Sequence, residues 1–252
     1  MKNRYFLIAL ALGALTFATA QAAEISLIAP GGFRAAGEQL IADFEKKTGN
    51  KVNATFGSGL GTKAQVAKGD VFDVPVVQPP YDDVVKSGNV VEKSAKPLAS
   101  VAVGVAVKKG AKKPDISSAD AVKKMLLSAK SVSYPDAKGG AAAGVSFLAT
   151  LKKLGIEDQM KATLKAAQGG AGAMKMAASG EAEIGLTFMS EMEEPGIDIV
   201  GPLPTSISEP TRLVGFVHTK AKDPKAAQAL LDYLSSPAAA AVYKKMGMQP
   251  GR

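Results

Sequence analysis

A single arginine follows a glycine pair where the first long helical pattern of the chain begins. The apolar run Ile25–Ala29 predicts a strand that stops before Gly31-Gly32-Phe33, and Arg34 then falls in the first turn of a helix. Glycines let the backbone approach a ligand, and the free N–H groups of a helix start attract anions. A guanidinium binds carboxylate or phosphate through two parallel hydrogen bonds. The stretch predicts an anion site; the alternative is a surface arginine whose stem packs on a neighbour.

Two later turns have the same design, in which a predicted strand runs through small residues into a helix. They are Gly57–Thr62 and Gly139–Ser146, and they contribute the hydroxyl groups of Ser58, Thr62 and Ser146. In open α/β sheets, ligands bind beyond the carboxyl ends of the strands, where such turns gather. None of these turns fits a G-x-G-x-x-G or a G-x-x-x-x-G-K-[ST] pattern in the required context, which disfavours nucleotide binding.

Residues 1–22 have the features of a cleaved secretory signal. Lys2 and Arg4 precede the apolar run Tyr5–Phe17, which is short for a bilayer span, and Ala20–Ala22 fits an A-x-A cleavage site. No later apolar run has the length of a membrane helix. We therefore expect an exported, periplasmic protein without membrane insertion.

Composition narrows the classes of site and partner. The chain has no cysteine and one histidine, His218, so disulfides, thiolate metal sites and His-rich metal sites are excluded, and we expect neither a metal nor a cofactor. The net charge of +8 comes without a dense basic run, so we expect a small anionic ligand and no nucleic acid. Beyond the signal, arginine occurs only at Arg34, Arg212 and Arg252, which favours a geometric role for the first two.

Predicted strands and helices alternate through most of the chain, which indicates an α/β fold. The helices that are predicted with the clearest limits are Arg34–Lys47 and Pro224–Leu234. Residues Gln159–Ala167 are predicted to be helical. Residues Pro195–Glu209 are predicted to be mostly loop because they are rich in Pro, Gly and Ser.

Several segments resemble the periplasmic solute-binding proteins of the molybdate-binding type. They are F-E-K-K-T-G-N-K-V at Phe44–Val52, F-G-S-G-L at Phe56–Leu60, Ala142–Val145, Leu151–Gly155 and Leu230–Ala239. The resemblance implies a type II fold with two α/β lobes, mixed sheets, two crossover strands and an anion in the cleft. It places one lobe at residues 23–100 and 216–252 and the other at 101–215, with crossovers near Val101 and Gly215.

The chain departs from that family at two ligand positions. The family has A-S-L-T in its first turn, where this chain has Ala29-Pro30-Gly31-Gly32, and the family's late tyrosine ligand falls on Phe188. Ser58 and Ala143 do match ligand positions. Losing two hydroxyl donors while gaining Arg34 favours a planar carboxylate over a tetrahedral oxyanion. The full set of candidate ligand-binding residues is Gly31, Gly32, Phe33, Arg34, Ser58, Gly59, Thr62, Lys63, Tyr81, Tyr134, Gly140, Ala142, Ala143, Ser146, Phe188 and Arg212.

Three functions follow, all in the cleft. The first is a monomeric binding protein for a small di- or tricarboxylate, with an ABC transporter permease as its partner. The second is an isomerase, because the chain is also similar to a bacterial aconitate isomerase built on this fold; Tyr134, Glu191 or His218 would carry the proton. The third is binding of molybdate or tungstate. Each proton carrier has a structural alternative. Tyr134 would be a packed ring with a hydrogen-bonded hydroxyl group, and Glu191 would be a surface carboxylate in the run Glu191–Glu194. His218 would be a histidine at a strand end whose hydrogen bonds are satisfied within the fold.

Overall fold

The computed structural model of the protein describes residues 22–251. The predicted signal lies almost wholly outside the described residues. Within them the chain forms nine α-helices: α1 Arg34–Thr48, α2 Gly59–Lys68, α3 Asp82–Lys86, α4 Ala119–Ser128, α5 Ala142–Leu154, α6 Glu157–Met160, α7 Gly169–Ser179, α8 Pro224–Leu234 and α9 Pro237–Lys245. The same part contains eleven strands: β1 Glu24–Pro30, β2 Lys51–Gly57, β3 Val74–Val77, β4 Lys96–Val101, β5 Val103–Lys108, β6 Val132–Pro135, β7 Leu164–Ala167, β8 Ile184–Phe188, β9 Ile197–Pro202, β10 Thr211–Gly215 and β11 Met248–Pro250.

The strands form two mixed sheets, each with helices packed against it. The six-stranded sheet has the order β11-β4-β10-β3-β1-β2, and the five-stranded sheet has the order β7-β6-β8-β5-β9. In the first sheet β1 is parallel to β2 and β3, while β10 is antiparallel to β3 and β4. In the second sheet β6 is parallel to β7 and β8, while β5 is antiparallel to β8 and β9. The predicted α/β fold with two lobes and mixed sheets is confirmed.

The chain passes between the two sheets twice. Only Ala102 separates β4 from β5, so the first crossover lies where it is expected, near Val101. The second crossover is the segment between β9 and β10, Leu203–Pro210. The prediction near Gly215 is therefore too late in the chain, because residues 211–215 pair with β3 and β4 in the first sheet.

Two other segments differ from the prediction. The last four residues of the predicted helix Gln159–Ala167 form the strand β7 instead, which pairs in parallel with β6, and only Gln159 and Met160 are helical, in α6. The predicted loop Pro195–Glu209 contains the strand β9, an edge strand paired with β5. In both places pairing with a neighbouring strand outweighs the local preference of the sequence.

The core forms from the apolar faces that the sequence pattern defines. In α1, Leu40, Ile41 and Phe44 are buried, and the helix ends at Gly49, whose φ of +76° suits glycine. One buried cluster extends from the first sheet through Val101 and Val103 into the second. The core therefore joins the two lobes at the crossover and supports both sides of the space between them.

Candidate functional site

A cavity of about 750 Å³ lies between the two lobes. Its wall forms where parallel strands of both sheets end, which is the usual place for ligand sites in open α/β sheets. The residues that end or directly follow these strands and line the cavity are Pro30, Gly57 and Gln78 from the first sheet, and Pro135, Ala167 and Phe188 from the second.

Four helices begin at this cavity. Ser58 and Gly59 at the start of α2, Ala141–Ala143 at the start of α5 and Gln168–Gly170 at the start of α7 line it, together with Arg34 of α1. At α1, α5 and α7 no side chain caps the first turn. Uncapped N–H groups and the positive ends of the helix dipoles both favour an anion. The convergence of four helix N-termini gives the cavity the electrostatics of an anion site.

Arg34 lies at the mouth of the cavity, and its side chain is 54 % exposed. The guanidinium carbon lies 4.8 Å from the ring centroid of Phe56, and Nη2 donates to the Phe56 carbonyl at 3.4 Å. Nη1 lies 3.5 Å from a carboxylate oxygen of Glu38 on the same helix. An exposed pair of this kind contributes little free energy, so the guanidinium can exchange Glu38 for a ligand carboxylate.

Ser58 and Gln78 contribute polar groups from the first lobe. The Ser58 hydroxyl accepts a hydrogen bond from the Gly61 N–H at 3.1 Å and so caps α2. Gln78 is buried, and its side-chain NH₂ group has no hydrogen-bond partner among the described residues. A buried donor without a partner costs free energy, which makes Gln78 a candidate ligand contact.

Glu191 lies on the opposite wall, in a short 3-10 turn that follows β8. Its carboxyl group accepts a hydrogen bond from the Thr187 hydroxyl. Burial raises the pKa of this carboxyl group, and the hydrogen bonds from Thr187 and from the Phe188 backbone offset only part of the increase. The side chain therefore lies in the cavity wall with its pKa raised by burial, and the alternative of a solvated surface carboxylate does not describe it.

The cavity brings together about half of the residues that the sequence singles out. Those that line it are Gly31, Gly32, Arg34, Ser58, Gly59, Ala142, Ala143, Phe188 and Glu191. Gly140 lies beside it, and its carbonyl accepts a hydrogen bond from the Leu60 N–H of the other lobe at 3.3 Å.

Other candidates from the first lobe lie away from the cavity. Phe33 is fully buried and packs against Tyr243, and Thr62 is buried with its hydroxyl 3.5 Å from the Ala29 carbonyl. The Lys63 ammonium donates to the Pro80 carbonyl at 2.6 Å.

Tyr81 and Arg212 line a second cavity, of about 990 Å³, on the first sheet. Tyr81 also packs edge-on against Phe216. Arg212 is paired in register with Ser100 across β10 and β4, and it does not reach the cavity between the lobes.

Three further candidates have structural surroundings. Tyr134 packs against the ring of Phe147, and Ser146 shares a hydrogen bond with Thr211 at 3.2 Å. His218 is 1 % exposed, and its Nδ1 accepts from the Lys220 N–H at 3.0 Å. Burial lowers the pKa of His218. None of the three lines the cavity, so of the candidate proton carriers only Glu191 does.

Sequence reasoning missed Gln78, Asp136, Gln168, Gly169 and Gly170, all of which line the cavity. For Gln78 a signal was present, since a polar residue directly follows the fully buried strand β3. For the glycines of α7 the signal was a fourth small-residue turn before a helix. The strand that positions this turn, β7, was predicted as helix, and so the turn was not placed at a strand end.

The fold and this site define a two-lobed protein with a polar cavity between its lobes. Residues 25–249 match the model of the bacterial extracellular solute-binding proteins, and the chain belongs to this family. It is 34 % identical to an aconitate isomerase from a Pseudomonas species, over 96 % of this chain and 95 % of that protein. It is also 34 % identical to the molybdate-binding protein ModA of Azotobacter vinelandii, over 94 % of each chain.

Solved structures agree with this assignment of the fold. A periplasmic molybdate-binding protein of Azotobacter vinelandii superposes with a TM-score of 0.72 at 20 % identity, covering 89 % of this chain and 98 % of that one. The fold is thus that of the type II periplasmic binding proteins. Among residues 22–251, no helix is both long and apolar enough to cross a bilayer.

Proposed function

We propose that the protein is an exported solute-binding protein that holds a small organic di- or tricarboxylate between its lobes. The observation that carries the proposal is the convergence of four helix N-termini on one cavity with Arg34 at its mouth. Helix N-termini bind carboxylates and oxyanions alike, whereas the planar fork of a guanidinium matches a carboxylate. Membership of the family supports the anion-binding part, and Arg34 supports the choice of a carboxylate.

The apolar residues that line the cavity support an organic ligand. Gly31 and Phe188 provide no hydroxyl group, and the Phe188 ring and the Ala142 and Ala143 methyl groups give the wall apolar patches. An apolar wall with a few polar groups is typical of sites for carbon-containing ligands. We therefore propose Gly31, Gly32, Arg34, Ser58, Gln78, Ala142 and Ala143 as the ligand-binding residues. Delivery to an ABC transporter permease in the periplasm, with the protein acting as a monomer, completes the proposal.

Thermal denaturation with a panel of ligands tests the proposal. The panel contains succinate, malate, citrate, cis-aconitate and trans-aconitate, with molybdate, tungstate and sulfate beside them. We expect a carboxylate to raise the melting temperature, because a ligand that binds only the folded state stabilises it. Stabilisation by molybdate or tungstate and by no carboxylate would contradict the ligand class.

The two arginines of the described residues supply a matched pair of variants. Removing a charge-assisted hydrogen bond costs about 1.5–3 kcal/mol, so Arg34→Ala should weaken carboxylate binding by roughly tenfold to hundredfold. Arg212→Ala removes the same group from the other cavity and should leave the affinity unchanged. Equal effects of the two substitutions would show that only the general positive field matters.

A second candidate function is isomerisation of a tricarboxylate in the same cavity. Two observations favour it, the position of Glu191 within the cavity and the 34 % identity to an aconitate isomerase. In such a reaction the ionised Glu191 carboxylate takes a proton from the methylene carbon, the double bond shifts by one position, and the proton returns to the former vinyl carbon. A carboxyl group whose pKa is raised by burial suits this exchange at near-neutral pH.

Incubation of the protein with cis-aconitate in D₂O separates the two candidates. An isomerase produces trans-aconitate and exchanges solvent deuterium into the substrate, which NMR detects, and Glu191→Gln should abolish both signals. Binding without any interconversion would exclude the isomerase function and leave solute binding as the function of the cavity.

A further inference from the structure

Glu191 places a carboxyl group inside a cavity whose other polar features favour an anion. Resting on the proposed function, we propose that Glu191 couples ligand binding to a proton, so that the cavity takes up one proton together with each carboxylate ligand. Glu191 is then a specificity-determining residue, since it selects ligands whose carboxylate can accept a hydrogen bond from a neutral carboxylic acid.

The geometry leaves one oxygen of Glu191 for the ligand. Oε2 accepts the hydrogen bond from the Thr187 hydroxyl, and a methyl group on Gly170 would overlap this oxygen. Oε1 points towards Gly31, where a methyl group would lie 3.4 Å from it. Gly31 opens the turn into α1, one of the four helix starts. With Oε2 held as an acceptor, the proton of the neutral acid resides on Oε1, on the side of the ligand.

The surrounding charges do not neutralise an ionised Glu191. Arg34, the cation that shares its cavity, interacts with Phe56 and Glu38, and Glu191 forms no salt bridge among the described residues. The groups of β8 and α7 that contact its carboxyl group are all uncharged, namely Thr187, the Phe188 backbone and Gly170. A further cavity of about 490 Å³ adjoins this one, and Arg34 and Glu191 line both. The remaining ionisable groups around Glu191 are all acidic, namely Asp136 on the wall of the first cavity and Glu38, Glu193 and Glu194 in the adjoining cavity.

A ligand carboxylate in this cavity shares the site with the Glu191 carboxyl group, and no cation is paired with Glu191 among the described residues. Two ionised carboxylates that share one partly buried site repel each other, and one of them then retains a proton. Burial already shifts the pKa of Glu191 upward before any ligand is bound. A ligand anion shifts it further, so binding draws a proton from solvent whenever the free carboxyl group is ionised.

Calorimetry in buffers of different ionisation enthalpy measures this proton directly. Wild-type protein is titrated with trans-aconitate, citrate and succinate at pH 5, 6, 7 and 8. We expect the uptake to approach one proton where the pH exceeds the pKa of the free Glu191 carboxyl group and to become small where the pH lies well below it. We also expect the affinity to weaken by up to about tenfold per pH unit above the pKa of Glu191.

Two variants isolate the carboxyl group responsible. Glu191→Gln keeps the shape and a neutral donor, so its affinity should be close to that of the wild type where the pH lies below the pKa of Glu191, and it should show no proton uptake from this site. Because all proteins are titrated with the same acids, the protonation of the ligand cancels in the comparison. Glu193→Gln removes a carboxylate two residues away, in the adjoining cavity, and should keep the pH dependence of the wild type.

The outcomes distinguish this inference from the proposed function. If no acid binds the wild type at any pH, the proposed function fails and the inference fails with it. If an acid binds but Glu191→Gln retains the same proton uptake, or if wild-type affinity rises with pH, only the coupling to Glu191 is overturned.

Discussion

Gln78 carries an unsatisfied amide group beside the cavity, and this feature predicts opposite effects on stability and on binding. In Gln78→Met the buried NH₂ group disappears while the side chain keeps a similar size. The free energy of unfolding of the ligand-free protein should rise by up to about 1 kcal/mol, because a buried donor without a partner is costly. Carboxylate affinity should fall by about tenfold, because the donor is lost to the ligand. Urea denaturation and calorimetry measure the two effects.

A glutamine outside the cavity provides the control for this substitution. Gln65 on α2 is exposed, and its side-chain NH₂ group donates to the Gly61 carbonyl at 3.4 Å. Gln65→Met should change neither stability nor affinity appreciably. If Gln78→Met left the affinity unchanged, the amide would not contact the ligand.

At the scale of single residues, the sequence predicts well those groups whose type is unusual for their position. Arg34 and Ser58 stand out in glycine-rich turns, and both line the cavity. Glu191 is different, because the run Glu191–Glu194 looks like a solvated acidic surface. Its burial depends on Thr187 and Gly170, which come from β8 and α7, and such a contact is not visible in a local pattern.

At the scale of elements, Ser58 caps α2 and also lines the cavity, so its structural role and its ligand-binding role have to be measured separately. The Ser58 hydroxyl accepts from the Gly61 N–H at 3.1 Å, and the same oxygen can donate its hydrogen to a ligand. Ser118 caps α4 in the same way, accepting from the Ala121 N–H at 3.1 Å, and it does not line the cavity. Each Ser→Ala substitution should cost about 1 kcal/mol of stability.

Only Ser58→Ala should also weaken carboxylate binding, by roughly fivefold to tenfold, because a single hydrogen bond contributes about 1 kcal/mol. Denaturation curves and ligand titrations of the two variants measure this difference. Equal affinities would leave Ser58 with a capping role alone.

The errors in predicting elements have one physical cause. Residues 159–167 contain good helix formers, yet Leu164–Ala167 forms the edge strand β7, because β6 offers it unpaired backbone groups. The strand Ile197–Pro202 contains a glycine and a proline, which are tolerated at an edge. The helix α8, in contrast, follows its own apolar pattern and has the limits that were predicted for it.

At the scale of the whole molecule, hydrogen bonds beside the cavity join the two lobes. The Ser190 hydroxyl donates to the Gly32 carbonyl at 2.7 Å, and the Leu60 N–H donates to the Gly140 carbonyl at 3.3 Å. The Phe188 ring lies directly against Gly32. These contacts hold the lobes together around the cavity, so a ligand that bridges both walls should favour this closed arrangement.

Gly32→Ala tests this link between lobe contact and binding. A methyl group on Gly32 would lie 2.8 Å from Cδ2 of Phe188, closer than carbon atoms pack, so it should push the lobes apart. Carboxylate affinity should fall by about tenfold or more, and small-angle X-ray scattering should show a larger radius of gyration in the presence of ligand. Gly172→Ala is the control, because its methyl group would have an ordinary contact of 3.4 Å with Cβ of Ala167 at the end of β7. If Gly32→Ala bound ligand as tightly as Gly172→Ala, the closed arrangement would not be required for binding.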